Sequence, residues 1–180
     1  MKPNKSILTA TVLSLSCALP AFAGEAATSA SAGSSGWGPG TAAATATYDG
    51  GGIGYTDTQA QSGRFNFARG LSVGLDQDGL SLSTSYAVAG QRGAAVAGTF
   101  NMDIGLDGQV SSSVGRSVAQ GDPQRQVSAG GSAGSAWGQP TAVATASGET
   151  GPRGEVRAVT RSDTSRRAHR YVNTSRRILR

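Results

Sequence analysis

The sequence predicts an all-β fold: a small antiparallel hairpin and meander domain, sandwich- or solenoid-like, with a Gly/Ala/Ser-rich core of low hydrophobicity and partly disordered termini. Three observations predict it. From Phe65 to Val118 large apolar residues recur every second position, as Leu71, Val73, Leu75, then Leu80, Leu82, then Phe100, Met102, Ile104, Leu106; a period of two is what a strand with two unlike faces requires. Asp78-Gly79 and Asp107-Gly108 divide this stretch, and Asp-Gly between alternating runs is a strong hairpin signal because both residues tolerate a tight turn. Finally, Ile, Leu, Val and Phe supply only 23 of the 157 residues that follow Ala23. Any core must therefore be thin and built largely from Ala, Thr and Val.

Residues 1–23 read as an export signal. Lys2 and Lys5 precede an apolar run from Ile7 to Leu19, and Ala21-Phe22-Ala23 has the small-x-small pattern of a signal peptidase site, with cleavage expected before Gly24. The partners so implied are the Sec export machinery and a signal peptidase. Cys17 lacks the leucine-like residue three positions earlier that a lipoprotein signal carries. The chain after Ala23 has no cysteine and no lysine, so no disulfide can staple it. No second stretch reaches transmembrane length.

Residues 24–40 are rich in Ser, Ala and Gly without apolar periodicity, and are expected to be a mobile linker. Residues 41–149 are expected to form the β-rich domain. Thr41 to Tyr48 is a strand candidate on its threonines, and Ile53 to Ser62 a weaker one. The core expected from the periodicity is Leu71, Val73, Leu75, Leu82, Met102, Ile104 and Leu106, with Ser72, Gly74, Ser81, Ser83, Asn101, Asp103 and Gly105 on the solvent side. Phe65 and Phe67, flanked by Arg64 and Arg69, are assigned to the core rather than to nucleic-acid stacking. Residues 35–47 resemble residues 135–147, each with a Trp-Gly pair followed by a Thr-Ala alternation, and Trp37 and Trp137 lie 100 residues apart. Equivalent strands beginning at these pairs are expected to lie side by side or to meet a neighbouring copy.

The charge is divided. From Gly24 to Glu149 five arginines face nine acids; from Thr150 to Arg180 nine arginines face Glu155 and Asp163. Residues 150–180 therefore read as an Arg-rich basic tail. In it Arg153, Arg157, Arg161, Arg166, Arg167, Arg170, Arg176, Arg177 and Arg180 are candidates for contact with anionic lipid, polysaccharide or extracellular nucleic acid. The spacing of four among the first three is that of a helix face.

Catalytic residues are scarce. The only histidine, His169, sits among arginines with no acid after it, so no nucleophile has a base. Asp76, Asp78 and Asp107 stand at turns, where side-chain capping accounts for them; a calcium role is the alternative reading. No cofactor and no zinc site are expected. The pattern predicts an exported, noncatalytic structural or adhesive protein of the bacterial surface or matrix, able to self-assemble. Its alternatives are a periplasmic or secreted polyanion-binding module acting through the arginines, and a small glycan-active enzyme using paired aspartates.

Overall fold

The computed structural model describes residues 24–35, 38–136 and 139–166. Cys17, Trp37, Trp137, His169, Arg167, Arg170, Arg176, Arg177 and Arg180 lie outside these residues, as do residues 1–23, where an export signal is expected, and the end of the expected basic tail.

Ten strands follow one another: β1 (Glu25–Ser35), β2 (Thr41–Asp49), β3 (Ile53–Gln61), β4 (Phe65–Leu75), β5 (Gly79–Gly90), β6 (Ala95–Gly105), β7 (Gln109–Gln120), β8 (Gln124–Ala136), β9 (Gln139–Thr150) and β10 (Glu155–Arg166). They form two antiparallel sheets, one of four strands in the order β2-β1-β8-β9 and one of six in the order β10-β7-β6-β5-β4-β3. The sheets stack face to face as a sandwich. β4 and β5 meet at Asp78-Gly79, and β6 and β7 at Asp107-Gly108, where Gly79 and Gly108 take φ of 148° and 78°, angles that a side chain resists.

The interior is made of small residues. The apolar part of the core is Ala26, Ala30, Ala32, Ala68, Ala87, Ala89, Ala95, Ala97, Ala119, Ala129, Ala133 and Ala142, with Val127 the one larger member. Beside them are buried Asn66, Ser72, Ser81, Ser83, Ser85, Asn101, Asp103, Ser111, Ser113 and Ser117. Composition is thus a correct guide to the core, but the face assigned from periodicity is the reverse of the one observed. Leu75 and Leu106 are exposed, Leu71, Val73, Leu82, Met102 and Ile104 are only half-buried on the outer face, and Phe65 and Phe67 join them there. Ser72, Ser81, Ser83, Asn101 and Asp103, expected in solvent, are inside.

The physical reason lies in the facing sheet. β1, β2, β8 and β9 present mostly Ala, Gly, Ser and Thr inward, with Tyr48, Arg125 and Val127 the larger exceptions, and so offer little for a row of leucines to interdigitate with. Two small-residue faces instead approach closely enough for side chains to bond the opposite backbone. Ser72 Oγ donates to Thr47 O (2.6 Å), Asn66 Nδ2 to Gly33 O (2.9 Å), Asn101 Nδ2 to Val143 O (2.8 Å) and Ser117 Oγ to Ser128 O (3.1 Å). Such bonds satisfy polar groups that burial would otherwise penalise by about 1–3 kcal/mol each. Close approach also excludes side chains: a Cβ on Gly70 would stand 2.6 Å from Thr45 O of the other sheet.

Three boundaries also change. The expected linker at 24–40 contains β1, a central strand whose alternate residues are buried. The expected tail contains β10, which pairs with β7 along its whole length. Arg157 and Arg161 share one face of this strand, since a spacing of four is also even. The strands that follow the two Trp-Gly pairs, β2 and β9, are not adjacent; they form opposite edges of the four-stranded sheet.

Candidate functional site: the outward face of the six-stranded sheet

Because the small residues point inward, the alternation that builds β4 to β7 turns their large residues outward. The register sets them in rows across the sheet. One row runs Phe67, Val88, Val96, Val118; another Leu71, Thr84, Phe100, Val114; a third Val73, Leu82, Met102, Ser112; a fourth Leu75, Leu80, Ile104, Val110. Between the first two lies Arg69, Tyr86, Gly98, Arg116, where the Tyr86 ring covers the glycine; a Cβ on Gly98 would be 2.7 Å from its Cε1. Neighbours within a row stand side by side, and most of these side chains are half-buried, with Leu75, Tyr86 and Val114 exposed; among the described residues no layer lies above them.

The edge strands rim this face with polar groups. β3 adds Gln61, Gln59 and Asp57 to the rows, then Tyr55 and Ile53, and β10 adds Arg157, Val159, Arg161, Asp163 and Ser165. Asp57 accepts a bond from Arg69 Nη2 at 3.1 Å, Arg157 Nε donates to Glu155 at 2.8 Å, and Arg161 lies 4.0 Å from Asp163. Arg157 beside Glu155 holds that carboxyl below its ordinary range. The outward face of the other sheet is different in kind. It carries Thr41, Thr45, Thr47, Ser29, Ser31, Ser128, Thr141, Thr145 and Ser147, with hydroxyl pairs at Ser29–Thr45 and Ser128–Ser147, both 2.7 Å apart.

The turn aspartates act as caps. Asp76 Oδ1 accepts from the backbone N of Asp78 (2.8 Å) and Gly79 (3.1 Å), and Asp107 Oδ1 from that of Gln109 (2.9 Å). Asp78 contributes its carbonyl, which accepts from Leu106 N at 3.2 Å. No group of three or more His, Cys, Asp or Glu among the described residues could hold a metal ion. Of the candidate arginines, Arg153 is exposed in the β9–β10 turn and Arg157 and Arg161 are exposed on β10; Arg166 ends that strand.

Periodicity could not reveal two buried charges. Arg125, 7 % exposed, donates from Nη2 to Gly90 O (3.0 Å) and Gln91 O (3.2 Å), tying the β5–β6 turn to β8. It lines a groove of about 360 Å³ with Ser34, Thr41, Glu149 and Thr150. Asp103, fully buried, is held by Ser81 Oγ at 2.8 Å and Ser135 Oγ at 2.6 Å. Burial pushes its carboxyl above the ordinary range, more than those hydroxyls pull it down, and Asp76 and Asp78 push the same way. Among the described residues no helix is long and apolar enough to cross a membrane. In comparisons with protein-family profiles, curated proteins and solved structures, the chain matches none.

Proposed function

We propose that the protein is an exported, noncatalytic structural or adhesive component of the bacterial surface or matrix, and that it associates with copies of itself through the outward face of β4–β7. The observation that carries this reading is the unpartnered apolar face. Four strands about 4.8 Å apart and eleven residues long, at about 3.4 Å each, give it roughly 700 Å². As a footprint, with the row of Arg69 and Arg116 inside it, that is near the ~800 Å² per partner of a standard stable interface. The occupant favoured is a second copy. Two copies stacked with their two-fold axis along the strands bring β3 of one over β10 of the other. The row of Asp57 is also the row of Arg161, so opposite charges meet at both rims, while the next row sets Arg69 of one copy over Arg116 of the other. An axis across the strands would set Asp57 on Asp57 and Arg161 on Arg161.

Sedimentation of the chain from Gly24 to Arg180 tests this. A concentration-dependent dimer or larger species is expected, with Leu82→Glu giving a folded monomer. A wild-type chain that stays monomeric at about 100 μM, or a Leu82→Glu variant that associates as before, sinks the reading. Binding to anionic vesicles in place of self-association would move the face to a lipid partner.

A further inference from the structure

The residue expected to begin the exported chain sits in a seat made of oxygens. Gly24 is buried just before β1. Its backbone N donates to Asp76 Oδ2 at 2.5 Å. Its carbonyl O lies 3.0 Å from Ser81 Oγ, which is itself 2.8 Å from the buried Asp103. A Cβ at Gly24 would stand 2.0 Å from Asp76 Oδ2 and 2.7 Å from Tyr48 Oη, so both groups crowd the residue. That Tyr48 hydroxyl is buried with no hydrogen-bond partner. The ion pairs among the described residues join Arg69 to Asp57, Arg157 to Glu155 and Arg161 to Asp163; none serves Asp76, Asp78 or Asp103. Of the three acids gathered at this end of the sandwich, Asp103 is buried and Asp76 and Asp78 are half-buried; an acid withdrawn from water without a cation is costly.

We propose that this seat receives an α-ammonium group made by removal of residues 1–23, so that processing supplies the cation the fold lacks. The proposal rests on the export reading for the position of the cut and is independent of self-association. A signal peptidase hydrolyses the Ala23–Gly24 amide. Water gives its oxygen to the Ala23 carbonyl carbon and both protons to the Gly24 nitrogen, leaving a carboxylate and an ammonium. The nitrogen that donated one N–H to Asp76 then carries three and a full positive charge. One donor stays on Asp76, and the Tyr48 hydroxyl crowds the same residue. Charge-assisted bonds of this kind are roughly twice as strong as neutral ones. The groups facing the site are all acidic or neutral: Asp76 and Tyr48 directly, Asp103 through Ser81, Asp78 in the adjoining turn, and Glu25 with its cross-strand partner Asp49. A side chain at this position would displace the carboxylate from its place beside the nitrogen.

The sequence also provides the handle for a test. Lys2 and Lys5 are the only lysines and leave with the signal, so the Gly24 amine is the one amine in the processed chain. Two chains are compared, one beginning at Gly24 and one at Ala23, each verified by intact mass. At pH 6 the Gly24 chain should melt about 2–4 °C or more above the other, the shift a 1 kcal/mol gain gives a chain of this size. An ammonium whose folded pKa is raised contributes fully below its unfolded value, about 7.7–8.0, and loses that contribution as pH rises through the folded one. The difference should therefore vanish near pH 11. Acylation of the amine should run at least tenfold slower than in urea-unfolded chain, and Asp76→Asn should restore fast labelling. Equal melting at pH 6, or fast acylation of the folded chain, overturns the proposal even where Asp76→Asn fails to fold. Mass analysis of the exported protein tests the position of the cut separately: a retained Met1 would refute the export reading, and any other first residue would refute the cut before Gly24; either would leave the seat without its ammonium in the natural protein.

Discussion

On the inner face of β5 stand Ser81, Ser83, Ser85, Ala87 and Ala89; one residue along, on its outer face, stand Leu80, Leu82, Thr84, Tyr86 and Val88. The strand buries its small and hydroxylated set and turns the apolar set to the outside. β6 repeats the choice with Ala95, Ala97, Thr99, Asn101 and Asp103 against Val96, Phe100, Met102 and Ile104. Which face is buried depends on what the opposing layer can accept, and here that layer is alanine, glycine and serine. Close contact and hydroxyl-to-carbonyl bonds hold the interior, while the apolar side chains stand on the outside.

The comparison breaks most sharply at a glycine. Gly131 leaves the gap through which Asn101 reaches Val143 O; a Cβ there would be 2.2 Å from that oxygen and 2.3 Å from Asn101 Nδ2. Gly131→Val should cost more than about 4 kcal/mol or abolish folding, because backbone and a buried amide would both have to move. A urea melt with a loss under about 1 kcal/mol would show that the sheets can separate easily.

Adjacent residues give the next test. Ser83→Leu inserts bulk between the sheets and removes the hydroxyl that meets Thr28 Oγ1 at 2.8 Å and Asn101 Oδ1 at 2.6 Å. It should cost about 3 kcal/mol from overpacking and orphaned partners together. Leu82→Ser and Ile104→Asp, on the outer face, should each cost under about 1.5 kcal/mol when measured dilute enough to suppress association. Comparable losses for Ser83→Leu and Leu82→Ser would mean that the outer face is covered within a single chain.

Much of the fold is legible in the residues. Alternation marks β4 to β7, the Asp-Gly pairs mark their turns, and the scarcity of Ile, Leu, Val and Phe foretells an alanine core. The inner face is not legible from any one strand, because hydropathy assigns large residues inward by default. A signal existed elsewhere: large apolar residues are concentrated in β3–β7, leaving only Tyr48, Val127 and Val143 in the four strands of the facing sheet. Glu25–Ser35 was hidden for a related reason. Ala26, Thr28, Ala30 and Ala32 alternate with Ala27, Ser29 and Ser31, so its buried and open faces hardly differ in hydropathy. The arginines of β10 read as helical because four is close to one helical turn and also a multiple of two.

The smallest effect concerns the one carboxylate inside the sandwich. Asp103 has its pKa raised above 3.8, first by burial, with Asp76 and Asp78 adding repulsion and Ser135 and Ser81 opposing. Its neighbours fit a protonated acid: Ser81 Oγ touches both Asp103 Oδ1 and Gly24 O, and can give its single proton to Gly24 O only if Asp103 donates to it. The folded chain therefore holds a proton that the unfolded chain has released, so the contribution of Asp103 to stability is fully present below about pH 3.8 and is lost as pH rises through the folded value. Asp103→Asn keeps the shape, donates permanently and removes that decline. The α-amine inferred at Gly24 would act against the shift, so the chain beginning at Ala23 is the clean background. Subtracting the variant's stability-against-pH curve from the wild type's cancels the other carboxylates. The difference should favour the wild type at low pH and fall with rising pH, leaving the variant as stable or more so at pH 7. Parallel curves would show that Asp103 is solvated in both states, and with it the face on which it stands.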